Sequence, residues 1–205
     1  MPPAQQSTMT TSTTQAQRLE EKLPDAAPTA LFFFPNFIGV ALSYLLERFD
    51  LEGLLDRHLA FGSSGHPYAL LGLGIFALAN VNSLLGGNVV NARVQYGVKL
   101  PALYANKSEH DKHCTEFNAI QRSHQNFLEN YGQLVLSVMC TAVLANRSHT
   151  AGMMLLIVSM CRVLYGMQYQ KDVDKRIPAF LIIMMTTSIG IGYGFWLFVG
   201  LDSLK

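Results

Sequence analysis

FNAIQRSHQNFLENYGQLVLSVMCTAVLA, residues Phe117 to Ala145, is the stretch on which the fold turns. A bilayer core is roughly 30 Å thick, so a helix that crosses it needs about 20 mostly apolar residues. The second half of this stretch is apolar, and the first half carries a polar stripe. Arg122, Gln125, Asn126 and Glu129 fall at offsets of zero, three, four and seven. Those offsets share one helical face. Ionisable groups at membrane depth face a bundle interior or a cavity, because lipid does not solvate them. From spacing alone two readings of the stripe stand side by side. One is an Arg–Glu pair that joins helices; the other is a site for a charged ligand.

Three other segments have spanning length: Tyr68 to Val90, Ala151 to about Tyr169, and Ile177 to Leu201. Helices are expected throughout, since lipid leaves every backbone polar group to be satisfied within its own segment. The expected fold class is therefore an all-α membrane protein, a four-helix transmembrane bundle over residues 68–201 with an N-terminal extension. Arg93, Lys99, Lys107 and Lys112 lie between the first two spans, and Lys171, Lys175 and Arg176 between the last two. The connection between the second and third spans holds only Arg147. The positive-inside rule places the first and third connections in the cytosol.

Composition agrees. Half of the residues are hydrophobic and 14% are charged, against about 25% in soluble domains. A net charge of +1 argues against nucleic acid, whose phosphates demand a concentrated basic face. Cys114, Cys140 and Cys161 are odd in number and widely spaced, which suggests neither a disulfide framework nor a zinc site. No metal is expected.

Ahead of the bundle, residues 1–30 are rich in Thr, Gln, Ala and Pro and read as a disordered tail without a secretory signal. Residues 31–67 read as an interfacial helical extension. LFFFPNFIGVALSYLL is broken by Pro35 and Asn36, and ERFDLEGLLDRHLAF sets apolar residues among charges. A fifth span is the alternative there. Gly62 to Pro67 reads as a hinge.

The third span runs into RVLYGMQYQKDVDKR, residues 162–176. Tyr165 and Tyr169 are four apart and Arg176 is seven further on, so a continued helix sets them on one face above Arg162. Such a stripe suits a small anion, and it equally suits interfacial tyrosines with snorkelling arginines. The first span offers Asn80, Asn82, Asn88 and Asn91 as interhelical glue, then Arg93 at its end. Gly190 and Gly194 make a Gly-x-x-x-Gly pair in the last span.

FNAIQRSHQNFLENY followed by RVLYGMQY resembles the MAPEG superfamily over about Tyr68 to Leu201. The type 3 microsomal glutathione transferase branch is more similar than the leukotriene C4 synthase branch. The resemblance implies a homotrimer of four-helix protomers that binds glutathione between neighbours at the cytosolic membrane edge. It implies residence in the endoplasmic reticulum, or alternatively the outer mitochondrial membrane. It assigns glutathione contacts to Arg93, Arg122, His124, Asn126, Glu129, Tyr165 and Tyr169. Arg176 matches the Arg that stabilises the glutathione thiolate in the synthase branch. Val94 stands where that branch has a second Arg, its proposed proton donor in epoxide opening, which argues against leukotriene synthesis. Asn130 stands where it has Tyr.

Glutathione carries two carboxylates and one ammonium. Arg93 and Arg122 can clamp carboxylates with guanidinium forks, and Glu129 suits the ammonium. Arg176 would hold the thiol as thiolate, the nucleophilic form. The implied activity is a glutathione transferase, or also a glutathione-dependent peroxidase, acting on lipophilic electrophiles or lipid hydroperoxides at a groove open to membrane lipid. The alternative is a non-enzymatic lipid-presenting scaffold resembling 5-lipoxygenase-activating protein. That branch has lost the second-helix Arg and the late third-helix Arg, whereas Arg122 and Arg176 are present here.

Overall fold

The structure, a computed structural model, describes residues 30–58, 66–108, 113–171 and 173–200. The expected tail (Ala30 apart) and most of the expected hinge lie outside them. The chain divides into two units, Met1–Phe34 and Pro35–Lys205. Of the first, only the opening of one helix is described.

All regular structure among the described residues is helical. In chain order it comprises α1 (Ala30–Arg48), α2 (Leu51–His58), α3 (Ala69–Tyr96), α4 (Cys114–Met139), α5 (Ser148–Lys171) and α6 (Ile177–Val199). A π-helical turn, Cys140–Leu144, prolongs α4, and a 3-10 turn, Val173–Arg176, leads into α6. Four helices among the described residues are long and apolar enough to cross a membrane: α3, α4 with its π turn, α5 and α6. These are the four expected spans. α3 runs six residues beyond Val90, because Asn91, Arg93 and Gln95 end the hydropathy but not the helix. Gly97, at φ 68°, ends it, donating its N–H to the Arg93 carbonyl.

The bundle is apolar inside and out. Leu78, Leu85, Phe127, Leu155, Val158 and Ile183 belong to one buried cluster. Phe76, Val143 and Phe198 stand exposed on the outside, as suits helices bathed in lipid. With lipid outside, close helix approach relies on small residues. A side chain at Gly190 would run into the backbone of Ser137 in α4, and Gly194 faces Cys140 of the same helix. The Gly-x-x-x-Gly pair thus forms the α4–α6 seam, where Ser137 also donates to the Thr187 carbonyl at 2.5 Å. Gly74 of α3 and Gly152 of α5 serve the α3–α5 seam alike.

Residues 31–67 supply α1 and α2. α1 packs lengthwise and parallel on α6. Ser188 Oγ donates to Asn36 Oδ1 at 3.4 Å, Gly39 abuts Ser188, and Trp196 Nε1 donates to the Val40 carbonyl at 3.1 Å. Arg147, between the π turn and α5, then forks onto Glu47, with Nε to Oε2 at 2.9 Å. Hydrogen bonding to Glu47 raises the Arg147 pKa above its usual value. Glu52 of α2 caps α5 by accepting from the backbone N–H groups of His149 and Thr150, each at 2.8 Å, and from the Thr150 hydroxyl. Those N–H groups have no partner inside the helix.

Candidate functional site

The polar stripe of α4 lies where its amino-terminal half meets the carboxyl-terminal half of α5. Arg122 and Glu129, two turns apart, form an ion pair at 3.2 Å, with each side chain about 44% exposed. Half-exposed pairs of this kind contribute little to stability. Asn126, on the inner edge of the stripe, accepts from Arg162 Nη1 at 3.0 Å. Arg162 is 3% exposed. Its guanidinium lies 5.3 Å from the Phe127 ring centroid and 5.9 Å from that of Tyr165. Burial of that charge is offset by an amide oxygen and two aromatic faces.

Tyr165 and Tyr169 are neighbours, with ring centroids 5.6 Å apart. Arg176 lies over Tyr169 at 4.6 Å. The single continued helix that would set these three on one face is not formed: α5 ends at Lys171, and the turn Val173–Arg176 brings Arg176 over Tyr169 instead. The 3-10 turn delivers Arg176 to the start of α6, where it precedes Ile177 and Pro178. Unpaired N–H groups at a helix start carry partial positive charge, so Arg176 sits at the positive end of a helix.

A groove of about 530 Å³ is lined by Arg122, Tyr169, Asn118, Cys114 and Tyr104, among others. It joins Arg122 of the α4 stripe to Tyr169 of α5. Arg122, Asn126, Glu129, Tyr165, Tyr169 and Arg176 are thus brought into one neighbourhood. Two expected contacts are placed differently. Arg93 donates to the Ala102 carbonyl at 2.8 Å and lies 5.3 Å over the Phe117 ring, tying down the α3–α4 connection. His124 rests against α3, its ring 3.7 Å from the position a side chain would take at Gly86. Among the described residues no three His, Cys, Asp or Glu side chains converge.

Asn118 and Tyr104 had not been singled out in the sequence. Asn118 sits four residues before Arg122, so the same face arithmetic would have found it. Tyr104 comes from a connection, where no periodicity applies.

The arrangement can bind a small zwitterion. The Arg122–Glu129 pair presents a cation and an anion side by side, and the Tyr169–Arg176 stack adds a second cation. The volume falls within the usual range for small-ligand sites, about 300–1,000 Å³. The family model described as MAPEG family matches residues 71–196, more than half of the 205 residues and all of the groups just described except those of the extension. A comparison with curated proteins finds no match. With four membrane-length helices and this match, the chain is an integral membrane protein that belongs to the MAPEG family.

Proposed function

We propose that the protein is a membrane-bound glutathione transferase, able also to act as a glutathione-dependent peroxidase, on lipophilic electrophiles or lipid hydroperoxides. The observation that carries this reading is the groove lined by Arg122 and Tyr169, the first paired with Glu129 and the second stacked with Arg176. A glutathione carboxylate would take Arg122 and the ammonium would take Glu129, each replacing half of a weak exposed ion pair. The thiol would lie toward Arg176. A nearby cation lowers a thiol pKa from about 8.5 by roughly one to three units, which makes thiolate abundant at neutral pH.

In conjugation the thiolate sulfur bonds to an electrophilic carbon, and the displaced or ring-opened group leaves with the electron pair and takes a proton. In peroxide reduction the sulfur attacks one oxygen, the O–O bond breaks and an alcohol departs. A second glutathione then completes the disulfide and releases water. By the positive-inside rule the groove faces the cytosol, because Lys99, Lys107, Lys171 and Lys175 flank it in sequence. A homotrimer in the endoplasmic reticulum, or alternatively the outer mitochondrial membrane, completes the proposal, and the resemblance supports it.

Calorimetry of the solubilised protein tests the reading. The wild type is expected to bind glutathione and Arg122→Thr to lose binding. Arg176→Ala is expected to bind yet lose roughly ten- to thirtyfold in activity at neutral pH, the fall in thiolate fraction when the thiol returns toward its free value, with its pH–rate profile moved toward about 8.5. Full activity with an unchanged profile removes Arg176 from the mechanism. A folded wild type that binds no glutathione favours the lipid-presenting scaffold.

A further inference from the structure

We propose that Tyr104, on the connection between α3 and α4, is a ligand-binding residue of the groove whose hydroxyl leaves Gln125 to donate to a carboxylate of the bound peptide. The inference rests on reading the groove as a glutathione site and adds to it a residue from outside the helices.

The backbone around Tyr104 is held on both sides. Two residues before it, the Ala102 carbonyl accepts from Arg93 at 2.8 Å. One residue after it, Ala105 is gripped by Asn118. Ala105 N–H donates to Asn118 Oδ1 at 2.8 Å, and Asn118 Nδ2 donates back to the Ala105 carbonyl at 3.2 Å. The Cys114 thiol donates to the same carbonyl at 3.1 Å. Ala105 is itself buried, in a small cluster with Ala92, Val98 and Phe117. A connection pinned this closely presents its side chains from fixed positions, as binding loops on rigid scaffolds do.

The Tyr104 side chain is not part of that cluster. It is 38% exposed, lines the groove with Arg122 and Tyr169, and donates its hydroxyl to Gln125 Oε1. Gln125 belongs to the same α4 stripe as Arg122, one turn on. Its amide oxygen is a neutral acceptor. A hydrogen bond to a charged acceptor is roughly twice as strong, so a carboxylate settling against Arg122 competes successfully for the phenol. The phenol O–H rotates freely about its C–O bond, and the exchange needs no movement of the pinned backbone. A phenol also supplies a directed donor without adding charge to a site already served by Arg122 and Arg176, favouring a peptide carboxylate over an arbitrary anion.

The test measures binding to the full-length solubilised protein, wild type and Tyr104→Phe, with three ligands: glutathione, γ-glutamylcysteine and cysteinylglycine. Cysteinylglycine lacks the glutamyl carboxylate, and γ-glutamylcysteine lacks the glycine carboxylate, its own terminal carboxylate lying three bonds closer to the thiol-bearing residue. For glutathione, Tyr104→Phe is expected to raise Kd roughly tenfold or more, the usual effect of losing a hydrogen bond to a charged group. For one truncated peptide the two proteins are expected to bind within about twofold, which identifies the carboxylate Tyr104 serves. A loss of equal size for all three ligands means that Tyr104 only clamps its loop to Gln125, and overturns the proposal. Unchanged glutathione binding by Tyr104→Phe, beside a wild type that binds and an Arg122→Thr that does not, overturns Tyr104 alone. A wild type without glutathione binding overturns the groove reading and Tyr104 with it.

Discussion

Glu52 shows how much one side chain of the extension contributes. Its two oxygens receive the backbone N–H groups of His149 and Thr150 and the Thr150 hydroxyl. Burial pushes the carboxyl upward, but those hydrogen bonds more than offset it, and the pKa lies below its ordinary 4.5. A carboxyl whose folded-state pKa is depressed contributes its full stability above the ordinary value and loses it as pH falls through the folded one. Glu52→Ala is therefore expected to cost about 1–2 kcal/mol, the range for a lost helix cap, measured as a lower melting temperature at neutral pH. The wild-type melting temperature should fall on acidification below about the ordinary carboxyl value, and in Glu52→Gln that acid-side slope should flatten. Superimposable slopes would show that Glu52 is not the titrating group. Single residues were unevenly legible before the structure. Arg122, Asn126 and Glu129 could be grouped because helical spacing alone puts them on one face. His124 shares α4 with site residues and Arg93 lies near the end of α3, but both turn to other partners, and a spacing rule does not say which of several acceptors a long side chain takes. Tyr104 needed the grip of Asn118 on Ala105, a contact thirteen positions apart in sequence.

Between helices the small residues decide the distances. Gly39 lies so close to Ser188 that any side chain there meets α6 backbone. Overpacking of this kind typically costs about 1–3 kcal/mol, and at an outer helix the simplest relief is separation. The chain has a single tryptophan, and it reports on this seam, because Trp196 donates to the Val40 carbonyl and packs 6.0 Å from Tyr44. Gly39→Leu is expected to shift the tryptophan emission and to expose α1 to protease. Glutathione binding should be retained, since no groove residue lies on α1. Unchanged emission would mean that α1 holds α6 through other contacts. Gly190 gives the contrasting case. Its neighbour Ser137 belongs to a bundle helix that cannot leave, so Gly190→Leu should lower the stability of the whole bundle. The Gly190–Gly194 pair was visible in the sequence, but its partner was not. The π turn at Cys140–Leu144 had no sequence signal at all, for its residues suit an ordinary helix.

The four spans could be read from hydropathy because lipid imposes length and apolarity on each one separately. The extension could not, since Pro35 and Asn36 break its apolar run. In the folded chain that break is repaired: Asn36 takes a hydrogen bond from Ser188, and Phe37, 73% exposed, points away from the protein. The parallel pairing fixes α1 against the bundle. Asn36 is level with Ser188 near the middle of α6, and Glu47 reaches the connection before α5. From Phe37 to Glu47 the helix rises about 15 Å, half of a bilayer core of roughly 30 Å. If α6 spans, the Asn36–Glu47 part of α1 lies within the membrane beside it, not along its surface. A cysteine at Phe37, in a protein whose three native cysteines are replaced, should resist a water-soluble maleimide and react with a lipid-soluble one. A cysteine at Asp50, beyond the end of α1, should react with the water-soluble reagent from the side of the membrane opposite the groove. The same pattern should survive Arg122→Thr, because nothing in the α1 seam depends on the groove. Rapid labelling of the Phe37 position by the water-soluble reagent would return the extension to the membrane surface. The α1–α6 contacts would then need an α6 whose carboxyl-terminal half also leaves the lipid.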